Sequence, residues 1–598
     1  MNRLTSLACV SVLALVAACG SGSAEAPPTV AKAAPAVEAE KPVTVADAGA
    51  AGSDTADDAD IAAYGKKYVD LVVEEWPETA TSLGLHSRDA ELNDRSREGI
   101  DRVVAKERAM LDALMQRFSS KPRASRGSFT DLAILEHALT VDIKRTEALR
   151  PHETRPDFYT EPLTAIFFVM ARDFAPGPER ARSALGRIEK LPQAVAAAKV
   201  NLKNPSRIAT QIGIESAEGA KSFLDEQAAL ILKELPGEKV RINAAVRAAK
   251  DAYAGYVGWL KKDLLPRSNG QFAAGKALFE FLTHEDYFLN EDSDQIYAIG
   301  KRLFDETQQK LTETARRIDP SAKKWSDVVA RVKGHHPTMA DLLPSYRREV
   351  ARARKFLVDK DVVPFPEGEA LEVIETPTFK RNTTQAAYDI PPPFDPPGAK
   401  GFFYVTPAEA HWPKKRQEEW LRENDHGDQV DTAVHEAYPG HHLQLSFSRL
   451  HPSIIRKVTG PSIFAEGWGL YSEELMAELG YYTDEERLMQ LVWTLVRAAR
   501  VIIDVGLHTR GMTYEGAVKI LTDEVHLERA LAQNEVKRYT ESPTQPLSYL
   551  IGRERIFAIR ERMRARDGAR FSLKAFHTEV LTRGTVAPGL LEREIFGD

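Results

Sequence analysis

Residues 435–442, His-Glu-Ala-Tyr-Pro-Gly-His-His, place three imidazoles and a carboxylate within one short stretch of this 598-residue chain. A second carboxylate, Glu466, follows in the run Phe-Ala-Glu-Gly-Trp-Gly-Leu-Tyr at residues 464–471. A hydrolytic zinc site requires histidine and carboxylate ligands, an open position for water and a separate glutamate base. The stretch is similar to the helical zinc motif His-Glu-x-x-His but is two residues longer. The sequence therefore predicts a zinc site on a helix here.

His435 and Glu436 point about a quarter-turn apart on a helix, so His435 can bind a metal while Glu436 deprotonates metal-bound water. The second histidine ligand stays open. Seven residues return to almost the same helix face, which favours His442 over His441. However, Pro439-Gly440 predicts a bulge, because proline lacks an N–H and clashes with the carbonyl four residues back. Ideal helix angles then do not choose between the two histidines.

Three acidic residues are candidates to complete the site. Glu466 lies in a mostly apolar segment, where a carboxylate needs a partner, and this favours it as a metal ligand. Glu473 falls on roughly the same helix face and is expected to support Glu466 or to replace it. Asp431, one turn before His435, can orient an imidazole through its other nitrogen, and an ordinary acid near a helix N-terminus is the alternative.

Most of the chain from residue 59 onwards has apolar residues at helical spacing, so the predicted fold class is mainly α, with one large helical body. The predicted helices cover residues 61–76, 128–149, 180–202, 216–235, 240–264, 293–318, 339–357, 462–479, 484–507, 513–524, 525–539 and 547–565. Residues 362–407 are the exception, with two proline clusters and runs of strand-forming residues. We expect a small antiparallel β-sheet beside the metal-binding helix, with a proline-rich surface loop as the alternative.

The first nineteen residues have the pattern of a secretion signal. Arg3 precedes a mostly apolar run over residues 4–16, which is too short to span a membrane. Val-Ala-Ala before Cys19 resembles a bacterial lipobox, in which Cys19 becomes the lipidated first residue; an ordinary cleaved signal is the alternative. Cys9 is removed with the signal, so Cys19 is the only cysteine expected in the mature chain. The mature chain is therefore expected to have no disulfide, no thiol nucleophile and no thiolate metal site.

Residues 20–58 are rich in Ala, Pro and Val and contain no aromatic residue, which predicts a disordered tether before the body at 59–598. The net charge of −7 is spread along the chain, and no concentrated basic patch favours a nucleic-acid partner. We expect membrane attachment only through lipidated Cys19. The predicted location is the cell envelope, on the periplasmic face of the outer membrane.

The string His-Glu-x-x-Pro-Gly-His-His, followed by Glu-Gly-Trp-Gly-Leu-Tyr, resembles the bacterial family DUF885. That family is distantly similar to gluzincin metallopeptidases such as the thermophilic carboxypeptidases, neurolysin and angiotensin-converting enzyme, whose motif is often His-Glu-x-Gly-His. Aligning its Gly-His with Gly440-His441 implies Zn²⁺ ligands His435, His441 and Glu466, with Glu436 as general base. The resemblance also implies two helical lobes that flank a deep active-site cleft.

The C-terminal part resembles the same family in two further blocks. Asp504 and His508 lie one turn apart on an apolar helix, where His508 is placed either to stabilise an oxyanion or to form a structural pair. In the second block, the resemblance implies that Tyr549 stabilises the tetrahedral intermediate and that Arg538 binds a terminal carboxylate. Gln545 belongs to the same block and is assigned to the substrate site.

Tyr404 lies in the run of strand formers at residues 401–407. An exposed strand edge can add an extended peptide as a further strand, so Tyr404 is expected to lie beside the substrate backbone.

These features predict zinc-dependent hydrolysis of peptide bonds in short peptides, of the carboxypeptidase or oligopeptidase type. Two alternatives are a zinc amidase that acts on cell-wall peptides and a non-catalytic binding lipoprotein with a relic metal site. The sequence has neither a Gly-x-Ser-x-Gly elbow nor a phosphate-binding loop, so other hydrolase and nucleotide-binding classes lack support.

Overall fold

The computed structural model describes residues 55–120, 122–376, 381, 385–396 and 398–597. The predicted signal, Cys19 and most of the predicted tether lie outside these residues. The first helix begins at Ala56, because Thr55 and Asp58 form a reciprocal capping box at its N-terminus. The last three residues of the predicted tether, 56–58, therefore belong to the folded body.

Helices form most of the described chain. Before the sheet they are α1 Ala56–Glu75, α2 Pro77–Ser82, α3 Arg97–Arg117, α4 Arg126–Ala148, α5 Pro151–Thr154, α6 Glu161–Ala171, α7 Gly177–Asn201, α8 Arg207–Glu234, α9 Lys239–Trp259, α10 Leu265–Arg267, α11 Lys276–Tyr287, α12 Ser293–Ile318, α13 Trp325–Val332 and α14 Leu342–Lys360. The strands are β1 Leu371–Glu375, β2 Ala386–Asp389 and β3 Gly401–Val405.

The remaining helices follow the sheet and carry the candidate site. They are α15 Lys414–Glu423, α16 His426–Glu436, α17 His441–Leu450, α18 Ile454–Val458, α19 Ser462–Glu478, α20 Asp484–Thr509, α21 Tyr514–Lys519, α22 Arg529–Glu541, α23 Ser548–Asp567, α24 Leu573–Leu581 and α25 Pro588–Phe596. None of the described helices is both long and apolar enough to cross a membrane.

The mainly α prediction is confirmed, and local signals explain where its helix bounds agree and where they differ. Helix α12 has the predicted bounds, since Asp292 and Gln295 form a capping box at its start. Helix α8 begins nine residues earlier than predicted. Ser206 caps it there by accepting a hydrogen bond from the backbone N–H of Ala209.

The sheet next to the metal-binding helix is present, but it is mixed, not purely antiparallel. Its strand order is β1-β3-β2, with β3 antiparallel to β2 and parallel to β1. The chain returns from β2 and inserts β3 between the two earlier strands, so β1 and β3 run in the same direction. Tyr404 lies on this central strand, opposite Ile374 on one side and Ala387 on the other. The expectation that Tyr404 pairs with a peptide backbone is therefore wrong, because both edges of β3 are occupied.

Three apolar cores organise the helical body. One joins α1, α4, α14, the sheet, α16, α19 and the C-terminal helices. A second lies around α12, α20 and α22, and a third lies between α6, α7, α8 and α9. Helix α19 contributes Trp468 to the first core and Leu470 to the second, and both side chains are buried. The helix that carries Glu466 is thus enclosed on two faces, which explains its apolar composition.

Helices α19 and α23 approach closely where two glycines face each other. A Cβ atom on Gly467 would lie 2.5 Å from the carbonyl carbon of Gly552, and one on Gly552 would lie 2.0 Å from the carbonyl oxygen of Ile463. Such separations exclude any side chain at either position. This contact brings α23, and with it Tyr549, next to the Glu466 helix.

Candidate metal centre

The helix that carries the motif is broken between His435 and His441. Helix α16 ends at Glu436, and α17 starts at His441 after a cis Tyr438–Pro439 peptide bond. A Cβ atom on Gly440 would lie 1.8 Å from the carbonyl oxygen of His435, so only glycine fits there. The predicted bulge is therefore a complete break. It brings the His435 and His441 rings to a centroid distance of 4.6 Å, nearly perpendicular to each other.

Glu466 extends from α19 to both histidines. Its Oε2 atom lies 3.7 Å from Nε2 of His435 and 3.5 Å from Nε2 of His441. All three side chains are buried, and Glu466 is only 3% exposed. Glu466 Oε2 and both ring nitrogens of His441 are shielded from solvent and lack a hydrogen-bond partner. Buried polar atoms are normally satisfied, so these orphaned atoms indicate a missing partner between them.

His435 is held in place from two sides. Its Nδ1 donates a hydrogen bond of 2.7 Å to Oε1 of Glu473. Glu473 lies about two turns after Glu466 on α19. Gly469 leaves room for the ring, since a Cβ atom there would lie 2.5 Å from Cε1 of His435. Glu473 therefore orients His435 so that Nε2 faces Glu466. Asp431, the other residue considered for this role, instead accepts a hydrogen bond from the Tyr482 hydroxyl.

His442 belongs to a different set of contacts. Its Nε2 donates to Glu369 Oε2 at 2.6 Å, and its Nδ1 accepts from the Tyr388 hydroxyl at 3.1 Å. The Tyr438 hydroxyl also donates to Glu369. Although burial opposes ionisation, His442 and Tyr438 lower the pKa of Glu369 below its ordinary value. Both nitrogens of His442 are thus occupied, whereas His441 faces the cluster.

Glu436 lies beside the ligand candidates and is anchored by the sheet. Donor atoms of His435, Glu436 and His441 all lie within 4.8 Å of one another. The backbone N–H of Tyr388, on the edge strand β2, donates to Glu436 Oε2 at 3.0 Å. The strand fixes this carboxylate next to the cluster, while Glu466 approaches the two imidazoles from the opposite helix.

The cluster fits a zinc ion. Two imidazole nitrogens and one carboxylate oxygen form a ligand set of catalytic zinc sites. Zinc–ligand bonds of about 2.0–2.2 Å in a tetrahedron separate neighbouring ligand atoms by about 3.3–3.6 Å. The distances from Glu466 Oε2 to the two Nε2 atoms are 3.7 and 3.5 Å. Despite burial, the two histidines lower the pKa of Glu466, and Glu466 and Glu473 raise the pKa of His435 to about 10, so the carboxylates favour a positive charge at this place, which a proton or a metal ion can supply.

Trp468 ties the Glu466 helix to the helix break. Its indole Nε1 donates a hydrogen bond of 2.8 Å to the carbonyl oxygen of Pro439. Each residue of the run 466–469 therefore has its own role. Glu466 is a ligand candidate, and Gly467 allows the close contact with α23. Trp468 bonds to the helix break, and Gly469 leaves space for the His435 ring. The sequence pattern located this segment but did not reveal this division of roles.

His508 has partners that an oxyanion role does not use. Its Nδ1 accepts from the backbone N–H of Ala274 at 3.2 Å, and its Nε2 donates to the carbonyl oxygen of Tyr539 at 2.9 Å. Asp504 accepts from the backbone N–H groups of Thr544 and Leu547. Burial lowers the pKa of His508 to about 4. The geometry corresponds to the structural alternative, in which the pair connects α20 to its neighbours.

A cavity of about 620 Å³ opens beside the cluster. Among the predicted site residues, those on its wall are His435, Glu466, Arg538, Gln545 and Tyr549. Arg538 Nη1 donates to the side-chain oxygen of Gln545 at 2.6 Å. Burial and the nearby Glu466 carboxylate raise the pKa of Tyr549 to about 12, so its hydroxyl stays protonated.

Two arginines of α20 that belong to none of the sequence motifs also line this cavity. Arg497 and Arg500 lie one turn apart in the segment Leu-Val-Arg-Ala-Ala-Arg-Val-Ile-Ile. Arginines one turn apart in an otherwise apolar helix were the available signal, since buried guanidinium groups need a partner or a ligand.

Solved structures show the same fold. The chain matches a structure described as "a putative lipoprotein of unknown function" from Shewanella oneidensis, with 25% identity, a TM-score of 0.76 and coverage of 90% of this chain and 99% of that one. It also matches a "putative lipoprotein" from Colwellia psychrerythraea, with 17% identity, a TM-score of 0.78 and coverage of 90% and 98%. No curated protein matches the sequence. The family model described as "Bacterial protein of unknown function (DUF885)" matches residues 77–595, and the chain therefore belongs to the DUF885 family.

Proposed function

We propose that this protein is a zinc-dependent hydrolase that cleaves peptide bonds in short peptides. The observation that carries the proposal is the convergence of His435, His441 and Glu466 around buried atoms that have no hydrogen-bond partner. Glu436 lies within 4.8 Å of the two histidines, which supplies a carboxylate beyond the ligand set. Two histidines, a glutamate ligand and a glutamate base form the inventory of a hydrolytic zinc site.

The protein side chains divide the chemistry between them. A bound zinc ion would polarise the substrate carbonyl and lower the pKa of a water molecule. Glu436 accepts the proton of the attacking water, and the backbone N–H of Tyr388 keeps its carboxylate in position. Glu473 fixes the His435 ring through Nδ1, so that Nε2 remains available as a ligand.

The cavity wall supplies groups for the substrate. The protonated hydroxyl of Tyr549 can donate a hydrogen bond to the oxygen that becomes negative during attack. Arg538 and Gln545, which are hydrogen-bonded to each other, offer a charged and a polar contact on the same wall. The cavity volume of about 620 Å³ suits a small molecule or a few residues of peptide, which favours a carboxypeptidase or oligopeptidase activity.

The test is a digest by the zinc-loaded protein. A mixture of unstructured peptides and, separately, purified cell-wall fragments would be incubated with the protein and analysed by mass spectrometry. We expect peptides shortened at a defined distance from one end, with no cleavage after zinc is chelated. If only wall-derived amides are cleaved, the protein is a cell-wall amidase and not a peptidase of short peptides. Absence of any cleavage with zinc stoichiometrically bound would favour a binding protein with a relic site.

We further propose that the protein is lipid-anchored through Cys19 on the periplasmic face of the outer membrane. The lipobox-like run before Cys19 supports this proposal, and each of the two matching solved structures is described as a "putative lipoprotein". Labelling cells with a fatty-acid analogue should mark the natural chain and not a Cys19→Ala variant. Membrane fractionation then reports which membrane holds the label.

A further inference from the structure

Arginines outnumber carboxyl groups in the lining of the cavity by six to five. Arg497 and Arg500 from α20 and Arg538 from α22 all line it. Arg500 and Arg538 share a single carboxylate, Glu535, at N–O distances of 2.9 and 3.2 Å. Arg497 lines the same cavity as these two arginines, as do His435 and Glu466 of the metal cluster.

Among the arginines of the cavity, Arg497 is the one that forms no close ion pair with a described carboxylate. Within the chain that the structure describes, no carboxylate oxygen lies within 4.0 Å of it, and its Nε and Nη1 atoms are buried without a hydrogen-bond partner. Its guanidinium lies over the ring of Trp493, 4.8 Å from the ring centroid, which holds the group in place. Leaving the shielded Nε and Nη1 groups without a hydrogen-bond partner costs free energy, so a ligand that enters the cavity is the expected compensation.

The other arginines of this cavity show what a structural role looks like here. Arg145 forms an ion pair of 2.8 Å with Asp286, and Arg150 forms one of 3.2 Å with Glu153. Arg155 is paired with Asp157. Each of these guanidinium groups forms an ion pair within the fold, whereas Arg497 forms none with a described carboxylate.

We propose that Arg497 binds a carboxylate of the substrate and thereby selects peptides that have a free C-terminal carboxylate near the scissile bond. This inference rests on the proposed peptidase function. A guanidinium group forms short, charge-assisted hydrogen bonds with a carboxylate, often two at once. Arg497 and His435 lie on the same cavity, so a substrate anchored at Arg497 can extend to the metal cluster.

Binding without turnover tests the assignment. The probes are Ala-Ala-Phe with a free C-terminus, its C-terminal amide, and Ala-Glu-Phe-amide, each titrated calorimetrically into the zinc-loaded Glu436→Gln protein. We expect the free acid to bind about 10- to 100-fold more tightly than the amide. Arg497→Ala should remove this preference, and Arg497→Lys should restore part of it because the charge remains.

The control is Arg510→Ala. Arg510 is the residue directly after α20; it is exposed and pairs with Asp294. It does not line the cavity, so this variant should keep the full preference for the free acid. Arg497 also carries a positive charge near the buried carboxyls of Asp428 and Asp431, so it can contribute to stability. Thermal melts of the variants distinguish this structural role from a role in substrate binding. A lower melting temperature with an unchanged acid preference in Arg497→Ala would overturn the proposal.

Two further outcomes are decisive. Tight, Arg497-dependent binding of Ala-Glu-Phe-amide would show that a side-chain carboxylate is the ligand, and would overturn the selection of C-termini. If natural, zinc-loaded protein cleaves no peptide while the acid preference persists and depends on Arg497, the carboxylate site stands and the peptidase proposal fails.

Discussion

Two buried groups of histidine and carboxylate, both on apolar helices, have opposite hydrogen-bonding states. In the pair on α20, both nitrogens of His508 and both oxygens of Asp504 bond to backbone atoms. In the cluster at the helix break, Glu466 Oε2 and both nitrogens of His441 lack a partner. The first group is satisfied by the fold itself, whereas the second leaves buried polar atoms unsatisfied. Both groups combine histidine with a carboxylate, so the hydrogen-bond partners and not the residue types distinguish them.

The largest expected effect comes from Glu436, which has no counterpart in the α20 pair. Glu436→Gln should lower peptide hydrolysis by about 100- to 10,000-fold, because the amide cannot accept the proton of water. Bound zinc, measured by atomic emission, should remain at the natural stoichiometry. Glu478→Gln is the matched control, since Glu478 lies at the end of α19 and pairs with Arg560. Unchanged hydrolysis in Glu436→Gln would contradict the base assignment.

The neighbouring histidines offer the sharpest contrast within the motif. His441→Ala should lose bound zinc, because it removes one of the three atoms that converge on the cluster. His442→Ala should retain zinc but lose about 1–3 kcal/mol of stability, because it leaves the buried Glu369 carboxylate without one partner. Metal analysis together with urea unfolding measures both effects. Zinc loss from His442→Ala and not from His441→Ala would reverse the ligand assignment.

A smaller effect is expected from the group that orients His435. Glu473→Gln keeps the shape of the side chain but weakens the hydrogen bond to Nδ1. Zinc affinity, measured by competition with a chelator, should fall by about 10- to 100-fold. Glu474→Gln changes the adjacent carboxylate, which pairs with Arg487, and should leave the affinity unchanged. Equal zinc affinities for all three proteins would show that the bond to Glu473 does not tune the site.

The α20 pair predicts an effect on pH-dependent stability alone. The pKa of His508 falls from 6.5 to about 4 on folding because the neutral ring is buried. As the pH falls, His508 is protonated in the unfolded chain before it is protonated in the folded protein. The contribution of His508 to the free energy of unfolding is therefore present above pH 6.5 and is lost between about pH 6.5 and 4. The full loss is at most about 3 kcal/mol.

His508→Gln should therefore flatten the dependence of unfolding free energy on pH in this window. Part of the slope will remain, since burial also lowers the pKa of His577 to about 4. Urea titrations from pH 4.5 to 7 provide the measurement, and zinc content should not change. Metal loss in His508→Gln would show that the two groups are coupled and would remove the contrast between them.

Several parts of the fold and site could be predicted from local signals. Capping residues gave helix α12 its exact start, and the mainly helical fold followed from apolar periodicity. The apolar surroundings of Glu466 predicted that its carboxylate needs a partner; its Oε2 atom lies near Nε2 of His435 and of His441, and its role as a metal ligand stays a prediction. Tyr404 could not be placed correctly, because strand order depends on how the chain returns after β2 and not on the residues of β3. Arg497 was missed for a similar reason, since nothing local shows which arginines acquire a counter-ion.

The sequence by itself determined the inventory: a histidine–glutamate motif interrupted by Pro439-Gly440, a later glutamate and a mainly helical body, since these depend on residue type and spacing. Only the tertiary structure decided the pairing. It placed His441 against Glu466 at 3.5 Å and His442 against Glu369 at 2.6 Å. The physical reason is that partners come from elements distant in the chain. The contacts of α16, α17 and α19 with each other and with the sheet determine which buried atoms are satisfied and which remain available for a ligand.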